Sequence, residues 1–339
     1  MTRGGPGSRP PVMRDVARLA GVSHQTVSRV LNDHPQVRSE IRERVRAAVE
    51  QLGYKPNTTA RALASRRTMN LGVVVAGSFQ YGPTTMLLSI AETARRAGYA
   101  TRLLSPGTID RPSMQDALDQ LVDDSVDGIV VIAPVTAAAN AVEGLTTDVP
   151  LVMFEPAMDN GTTIVAIDES LGARLATRHL LERGHRTVHH VSGPDGWLGS
   201  EARIRGWREE LSAAGRVAHA SYAGDWSSES GHAAGRRIAA DPDVTAVFVA
   251  NDQMALGVLQ ALADAGRDVP GDVSVVGFDD TPESGFYRPA LTTVRMDFAE
   301  VGRRCVERLL GLIRDQPLQP QPSVPPELVL RASTATPRR

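Results

Sequence analysis

The sequence predicts two parts of different fold class, a small all-α segment at the amino end and a large α/β region after it. Before residue 53, apolar residues recur at helical spacing in three short stretches. From residue 69 to residue 330, short β-branched runs alternate with helical patterns, as they do in doubly wound parallel sheets covered by helices. About 260 residues are many for one such sheet and comfortable for two, so we expect a two-lobed core.

Residues 12–32 predict two short helices joined by a turn. Their apolar stripes consist of Val16, Leu19, Ala20, Val27, Val30 and Leu31. Gly21 marks the turn, and Ser23 stands where an N-cap belongs, so the second helix begins at about His24. A third helix over 39–52 ends at Gly53, a normal C′ residue. The buried positions of that third helix are Ile41, Val45, Val49 and Leu52.

The outward face of the second helix carries side chains that can read a DNA major groove. They are His24, Gln25, Thr26, Ser28 and Arg29. Glutamine pairs with adenine and arginine with guanine, while serine and threonine reach phosphates or base edges. Any short amphipathic helix pair shows polar residues outward, so the pattern alone leaves open a helix pair that binds nothing.

The distribution of charge favours the DNA-binding alternative. Residues 1–67 contain 13 Lys and Arg against 5 Asp and Glu, whereas residues 68–339 contain 24 against 34. The formal net charge of −2 therefore hides a basic amino end on an acidic body. A basic end suits phosphate binding, because counterion release supplies much of the affinity for DNA.

Several motifs resemble those of the LacI/GalR family of transcriptional regulators. The first are RDVARLAGVSHQTVSRVLN and LGYKPNTTARALASRR, which are similar to the headpiece and hinge of that family. The similarity continues in GDWSSESG (224–231), VANDQMALG (249–257), VVGFDDT (275–281) and LTTVRMDF (291–298). It covers the chain from about residue 12 to residue 330.

The resemblance implies a helix-turn-helix DNA-binding domain over 12–56 and a hinge over 57–68. Residues 57–65 are then a hinge helix that forms only on operator DNA, because so short a helix is marginal alone. The further DNA contacts that the resemblance implies are Asn32, Asn57, Ala60 and Leu63. Leu63 is either an apolar wedge in the minor groove or a linker residue packed on the body.

Two positions of the DNA-binding segment depart from the family pattern. Val12 stands where the family often has a threonine cap, so the first helix is expected to begin less firmly. His24 stands at a specificity position where a closely matching member has tyrosine. The operator sequence therefore cannot be copied from that member.

Seven β-branched runs predict strands of the core. They are 71–76, 128–132, 150–154, 163–167, 187–192, 244–250 and 273–278. The resemblance to the family and to periplasmic sugar-binding proteins implies two lobes over 69–330, crossovers near 167, 295 and 325, and a tail over 331–339. Ligands of open α/β sheets sit beyond the carboxyl ends of strands, and a cleft between lobes would collect those ends.

Polar residues directly follow three of the predicted strands. Glu155 follows LVMF, Asn251 and Asp252 follow VFVA, and Asp279 follows VVGF. Their carboxylate and amide groups can pair with vicinal hydroxyls, and Trp226 offers a flat face for a sugar ring. Together these residues suit an uncharged polyol. For each one a structural role stays open, since Asn251 and Asp279 can cap helices and Trp226 can belong to the core.

The resemblance also implies effector contacts, because the positions that contact the inducer in a closely matching family member can be matched in this sequence. At five of these positions this chain has the same residue type as the family. These are Arg203, Trp226, Asn251, Asp279 and Phe298. The positions that depart from the pattern are Glu155 for an aspartate, Ile132 for an asparagine, Met296 for a glutamine and Trp197 for a serine. The resemblance implies a carbohydrate effector, a galactoside being one candidate.

The sequence shows no catalytic constellation. It contains no phosphate-binding glycine loop after a strand and no G-x-S-x-G elbow. His185, His189 and His190 form a histidine cluster in a turn that leads into a strand, a poor arrangement for a metal. We therefore expect no enzyme activity, no cofactor and no metal. The alternative is a sugar- or nucleotide-processing enzyme with a DNA-binding domain.

Cysteine content and hydropathy predict the compartment. Cys305 is the single cysteine and lies in an apolar helical pattern, so we expect a buried small hydrophobe in a reducing compartment. No apolar run reaches transmembrane length, and the amino end lacks a signal-peptide core. These features predict a cytoplasmic protein without membrane contact.

A two-fold operator calls for two headpieces, because one three-helix headpiece covers one half-site. We therefore expect a homodimer on pseudopalindromic DNA, and the carboxyl end lacks the leucine heptads that would make a tetramer. In the expected mechanism, ligand in the cleft changes the arrangement of the lobes and lowers DNA affinity. The same linkage permits a corepressor-type regulator that responds to a nucleobase, and the sequence leaves the sign open.

Overall fold

The computed structural model describes residues 11–31, 36–54, 67–77, 80–142, 145–154 and 163–338. The chain divides into two compact units, termed here the headpiece (residues 1–68) and the body (residues 69–339). Each unit has its own hydrophobic core, so each is described by itself.

The described part of the headpiece contains three helices. They are α1 (Met13–Ala20), α2 (His24–Leu31) and α3 (Ser39–Leu52). Their buried side chains are Val16, Ala17, Ala20, Val27, Val30, Val45 and Ala48, with Tyr54 closing the core. The all-α segment predicted from the sequence is confirmed.

The prediction that Leu19 belongs to the buried apolar stripe of α1 is wrong. Leu19 is 45% exposed, whereas Ala17 is buried. At about 100° per residue, Val16, Ala17 and Ala20 share one face of the helix, and Leu19 lies well away from its centre. The core therefore selects the small residue at position 17 and leaves the larger one at the surface.

Local hydrogen bonds fix the ends of the headpiece helices. The Ser23 Oγ accepts from the backbone N–H of Thr26 at 3.1 Å, as expected for the N-cap of α2. Val12 has no capping oxygen, but the carboxylate of Asp15 accepts from the Val12 N–H at 3.0 Å. This contact supplies half of a capping box. Gly21 adopts φ +63° in the turn, the left-handed conformation that glycine favours.

Five parallel strands form the described sheet of the amino lobe. They are β1 (Asn70–Val75), β2 (Ala100–Leu104), β3 (Gly128–Ile132), β4 (Leu151–Phe154) and β5 (Ile164–Val165). Their order across the sheet is β2-β1-β3-β4-β5. The helices that follow these strands in the lobe are α4 (Tyr81–Arg96), α5 (Arg111–Asp123) and α6 (Thr136–Val142).

Six strands form the sheet of the carboxyl lobe within residues 163–338. They are β6 (His189–Ser192), β7 (Tyr222–Ala223), β8 (Ala246–Val249), β9 (Ser274–Asp279), β10 (Thr292–Arg295) and β11 (Glu327–Val329). Their order is β11-β10-β9-β8-β6-β7, and β10 and β11 alone pair antiparallel. The helices in this part of the chain are α7 (Glu169–Glu182), α8 (Leu198–Ala213), α9 (Ser228–Ala239), α10 (Asp252–Asp264) and α11 (Phe298–Ile313).

Within residues 163–338 the chain passes between the lobes three times. The first passage, 166–168, leads from β5 into α7. The second follows β10, since α11 packs against α4, β3 and β4 of the amino lobe. The third returns to β11, and Val324 on it pairs with Ile167 on the first. The two-lobed α/β core with parallel sheets is confirmed.

The β-branched runs mark seven of the described strands and miss β2, β7, β10 and β11. Strand β2 lies at the edge of its sheet, and four of its five side chains are exposed. Strands β7 and β11 are edge strands of two and three residues. Edge strands carry little of the apolar pattern that reveals a buried strand.

Residues 331–338, which belong to the predicted tail, pack on the carboxyl lobe. Ser333 is fully buried. Its Oγ accepts from the N–H of Thr292 at 2.8 Å and donates to the carbonyl oxygen of Val275 at 2.6 Å. Arg338 pairs with Asp268 at 3.0 Å. Small polar residues hold this segment by hydrogen bonds, which an apolar pattern does not reveal.

Cys305 is buried in α11 as a free thiol, as predicted. Burial raises the pKa of this thiol to about 12, so it is inert as a nucleophile. Among the described residues, no helix combines the length and the apolar character that a membrane span requires.

Candidate functional site

A cleft lies between the two lobes of the body. The residues that line it are Gln80, Tyr81, Gly82, Pro83, Met86, Pro134, Phe154, Glu169, Trp197, Gly199, Arg203, Trp226, Asn251, Asp279 and Phe298. Several of them lie at the carboxyl end of β9 or within a few residues after β1, β3 or β8. The cleft thus lies at the carboxyl ends of parallel strands, where doubly wound sheets bind ligands.

Among the described residues that line the cleft, Arg203 has the positively charged side chain, and it is only 5% exposed. Its Nε donates to Glu169 at 2.7 Å, and its Nη2 donates to Asp279 at 3.3 Å. Its Nη1 donates to the carbonyl oxygen of Ala250. The guanidinium also lies over the ring of Phe278, with 3.9 Å between its carbon and the ring centre. Arg203 is therefore fixed in one position before any ligand binds.

Asp279 ends β9 with φ +98°, a conformation that L residues rarely adopt. Burial raises the pKa of its carboxyl group to about 6, although the guanidinium of Arg203 opposes this rise. The negative charge of Glu169 adds to the rise. Near neutral pH the group is mostly a carboxylate, and its second oxygen can accept a hydrogen bond from a ligand hydroxyl.

Two tryptophans form an aromatic wall of the cleft. The rings of Trp197 and Trp226 meet edge to face, with 5.5 Å between their centres. Trp226 packs against Gly193 so closely that a Cβ atom at position 193 would lie 2.2 Å from the ring. The Nε1–H of Trp226 is buried and has no partner among the described residues. A buried N–H ordinarily has an acceptor, so this donor suits an oxygen of a bound molecule.

Asn251 links the aromatic wall to the helix that follows it. Its Oδ1 accepts from the N–H of Met254 at 2.9 Å and so caps α10. Its Nδ2 donates to the carbonyl oxygen of Trp226 at 3.1 Å. The residue thus has the capping role left open by the sequence and also lines the cleft.

Asp252 does not line the cleft, in contrast to the prediction from its place after β8. It is fully buried and accepts from the Thr293 hydroxyl at 2.6 Å and from the Thr281 N–H at 2.8 Å. Burial raises the pKa of its carboxyl group to about 7. Asp252 joins β10 and the segment after β9 to the start of α10, which is a structural role.

The two lobes also touch beside the cleft. Residues 134–136 of the amino lobe and 196–198 of the carboxyl lobe form a short antiparallel pair, termed here the clasp. Its backbone hydrogen bonds run from Thr136 N–H to Gly196 at 2.9 Å and from Leu198 N–H to Pro134 at 3.0 Å. The clasp and the three chain passages hold the lobes in the arrangement that forms the cleft.

The predicted DNA-reading surface lies on α2. His24, Gln25 and Arg29 are exposed, whereas Thr26 and Ser28 are half-buried. The hydroxyl of Thr26 lies 2.8 Å from that of Ser23 and so belongs to the cap. The other predicted DNA contacts, Asn32, Asn57, Ala60 and Leu63, lie outside the described residues.

Comparison with known proteins places this chain in a family. The family model described as bacterial regulatory proteins, lacI family, matches residues 12–57, and a periplasmic binding protein-like domain matches residues 177–334. The chain is 33% identical to the lactose operon repressor of Escherichia coli (strain K12) over 331 residues, which cover 97% of this chain and 92% of that protein. This chain belongs to the lacI family. It is a DNA-binding transcriptional regulator.

Two solved structures are similar to this chain over nearly its whole length. The crystal structure of the lac repressor dimer bound to operator and the anti-inducer ONPF has a TM-score of 0.82 at 33% identity, and the match covers 96% of this chain and 100% of that chain. The complex of the transcriptional regulator CelR with cellobiose has a TM-score of 0.68 at 30% identity, covering 95% of this chain and 99% of that chain.

The structure brings six of the predicted effector-binding residues of this lacI-family chain to the cleft. They are Trp197, Arg203, Trp226, Asn251, Asp279 and Phe298. Met296 is not among the residues that line the cleft, and it is buried in the hydrophobic core beside β10. Ile132 is also fully buried and does not line the cleft. Glu155 lies outside the described residues.

Glu169 and Tyr81 are among the cleft residues that the sequence analysis does not identify. Glu169 lies at the first residue of α7, four residues after β5. Tyr81 begins α4, and its ring meets that of Phe298 edge to face at 6.2 Å. Burial raises the pKa of the Tyr81 hydroxyl. A search for polar residues after strands misses both of them, because neither directly follows its strand. A search extended to the first residues of the helices after β1 and β5 would find them.

The histidine cluster has structural contacts. His185 is buried and lies within 3.1 Å of the hydroxyls of Thr245 and Ser274. Burial lowers the pKa of His185 and also that of His189. Within the described ranges, no group of three or more His, Cys, Asp or Glu side chains is placed to hold a metal ion.

Proposed function

We propose that this regulator is a repressor of sugar-utilisation genes that leaves its operator when a small uncharged carbohydrate binds the cleft. The observation that carries the proposal is the composition of the cleft, which combines an aromatic wall with fixed polar atoms. Such a combination recognises a ring that has one apolar face and a rim of hydroxyls. A galactoside is one candidate for the effector.

The polar atoms of the cleft suit hydroxyl groups. A guanidinium has five N–H donors, and Arg203 uses one on each of three protein oxygens. Its remaining N–H groups and the Nε1–H of Trp226 are donors, while Asp279 is an acceptor. A vicinal diol both accepts and donates, so it can satisfy these atoms together.

The names of the relatives support a carbohydrate. The first relative described above is the repressor of a lactose operon, and another matched protein is a ribose operon repressor. A solved structure of the family contains cellobiose. Purine repressors are also among the relatives, at 32% identity. The effector panel of any binding experiment should therefore include nucleobases.

For the DNA side, we place the base contacts on the exposed face of α2. His24, Gln25 and Arg29 are exposed there, and Ser28 is half-buried between them. One such helix reads one half-site, so we propose a homodimer on a pseudopalindromic operator. The matched lac repressor structure is a dimer bound to operator.

Coupling between the sites follows from the position of the cleft. A ligand between the lobes favours the arrangement that contacts it best, and DNA favours the arrangement that spaces two headpieces correctly. A difference of about 1–3 kcal/mol in these preferences changes operator affinity by about 5- to 150-fold. We also infer that the chain catalyses no reaction, as its matched relatives are named as repressors.

Fluorescence anisotropy of the purified chain on the DNA upstream of its own gene tests the proposal. The panel consists of galactosides, other glycosides and nucleobases. Tight, salt-sensitive binding that one sugar releases supports the proposal and identifies the effector. Binding that a nucleobase strengthens would instead make the protein a corepressor-type regulator, and the absence of specific binding would contradict the repressor assignment. Turnover of the sugar in the same samples would contradict the absence of catalysis.

A further inference from the structure

We propose that Glu169 determines the charge class of the effector, so that the cleft accepts uncharged polyhydroxyl molecules and excludes phosphorylated and carboxylated sugars. The proposal rests on the proposed function of the cleft as the effector site. It concerns a residue that lines the cleft but follows no strand directly.

The charges of the described cleft are unbalanced. Its lining contains one guanidinium, that of Arg203, and two carboxylates, those of Glu169 and Asp279. All three residues are buried, with exposures of 5%, 3% and 6%. Charges buried to this degree are weakly screened by solvent. An anion placed among them therefore meets net repulsion.

Arg203 is the group that would otherwise attract an anion. Arginine binds phosphate and carboxylate groups with paired N–H donors of its fork. Here each of its three nitrogens already donates to a protein oxygen. Two of those oxygens belong to carboxylates, so the positive charge is neutralised in place. The N–H groups that remain can serve hydroxyls but no longer offer an uncompensated cation.

Glu169 makes the shorter of the two carboxylate contacts to Arg203, at 2.7 Å against 3.3 Å for Asp279. It also lies beside Gly199, where a Cβ atom would come within 3.3 Å of its Oε1. The carboxylate therefore fills the space between α7 and α8 at the cleft. A ligand that contacts Arg203 is necessarily close to this charge.

Glu210 provides a matched control on α8. It is 8% exposed and pairs with Arg178 at 2.7 Å and with Arg174 at 3.3 Å, but it does not line the cleft. Glu210→Gln removes the same charge from a similar ion pair elsewhere. Glu169→Asp keeps the charge while shortening the side chain, and so separates charge from packing.

The test is isothermal titration calorimetry of the unmodified full chain and of three variants, Glu169→Gln, Glu169→Asp and Glu210→Gln. The probes are inorganic phosphate, galactose 6-phosphate, galacturonate and methyl β-galactoside. We expect Glu169→Gln to bind phosphate and the anionic sugars about tenfold or more tightly than the unmodified chain. Glu169→Asp and Glu210→Gln should exclude them as the unmodified chain does. Operator binding and circular dichroism establish that each variant is folded.

Two results would overturn the proposal. One is binding of phosphate or an anionic sugar to the unmodified chain as tightly as to Glu169→Gln. The other is an equal gain in Glu169→Asp or Glu210→Gln, which would assign the effect to packing or to overall charge. The phosphate measurement needs no sugar, so it decides the role of Glu169 even when no sugar releases the operator and the proposed function fails.

Discussion

The backbone N–H of Thr136 donates to the carbonyl oxygen of Gly196 at 2.9 Å, and this contact joins the two lobes beside the cleft. Thr136 is the first residue of α6, so its N–H is not needed within the helix. Proline is tolerated at such a position. The hydroxyl of Thr136 is buried without a partner among the described residues, so alanine there loses no hydrogen bond.

Thr136→Pro should therefore loosen the clasp without unfolding α6. One hydrogen bond contributes about 0.5–1.5 kcal/mol, so we expect hydrogen exchange at the Leu198 N–H to become about two- to tenfold faster. Mass spectrometry of peptides that cover 196–198 measures this rate. Thr136→Ala is the control and should leave it unchanged. Equal rates in both variants would show that the chain passages alone hold the lobes together.

Gly193→Ala should displace the ring of Trp226. The added Cβ atom would lie 2.2 Å from that ring, so the ring must move, at a cost of about 1–3 kcal/mol in stability. We expect weaker effector binding with unchanged operator binding. Gly107 has open space around it, so Gly107→Ala is the matched control. Effector affinity that survives Gly193→Ala would remove the Trp226 ring from the ligand contact.

Asp252 makes the stability of the body depend on pH. Its carboxyl group has a pKa of about 7 in the folded protein and an ordinary value of 3.8. Between these values the unfolded chain has released the proton that the folded chain still holds. Raising the pH through this range therefore lowers the free energy of unfolding. Asparagine carries no such charge and can make similar hydrogen bonds.

Calorimetric melting of Asp252→Asn and the unmodified chain at several pH values tests this account. The variant should melt at the higher temperature above pH 7, and its advantage should shrink as the pH falls toward 3.8. The comparison cancels the opposing contribution of the buried histidines, whose pKa values burial lowers. An advantage that stays constant with pH would show that Asp252 is not the group responsible.

The local pattern of the sequence predicts the elements that bury one face or both. The bounds of α3 and of β3 agree with the structure to the residue, because helical spacing and a fully buried β-branched run are strong signals. Ser23 and Gly21 also mark their turn correctly. The pattern fails at the edge of a helix face. It places Leu19 in the buried stripe of α1, but this residue lies well away from the centre of the buried face and is exposed.

The candidate site could be predicted where a residue directly follows a strand or matches a motif. Asn251, Asp279 and Trp226 are of this kind, and all three line the cleft. The contact between Glu169 and Arg203 joins residues 34 positions apart, and no periodic pattern reports such a pair. Met296 occupies a motif position too, but its side chain packs in the core, and burial of that kind is not visible in a motif.

The measurement that tests the central claim most directly is operator affinity, by fluorescence anisotropy, with and without the sugar that the panel identifies. It compares the unmodified chain with Asp279→Ala and with Asp264→Ala, a change at an exposed residue of α10. Sugar should lower operator affinity by about 5- to 150-fold in the unmodified chain and in Asp264→Ala. Asp279→Ala should bind operator normally and ignore the sugar. An undiminished response in Asp279→Ala would contradict control of DNA binding from this cleft.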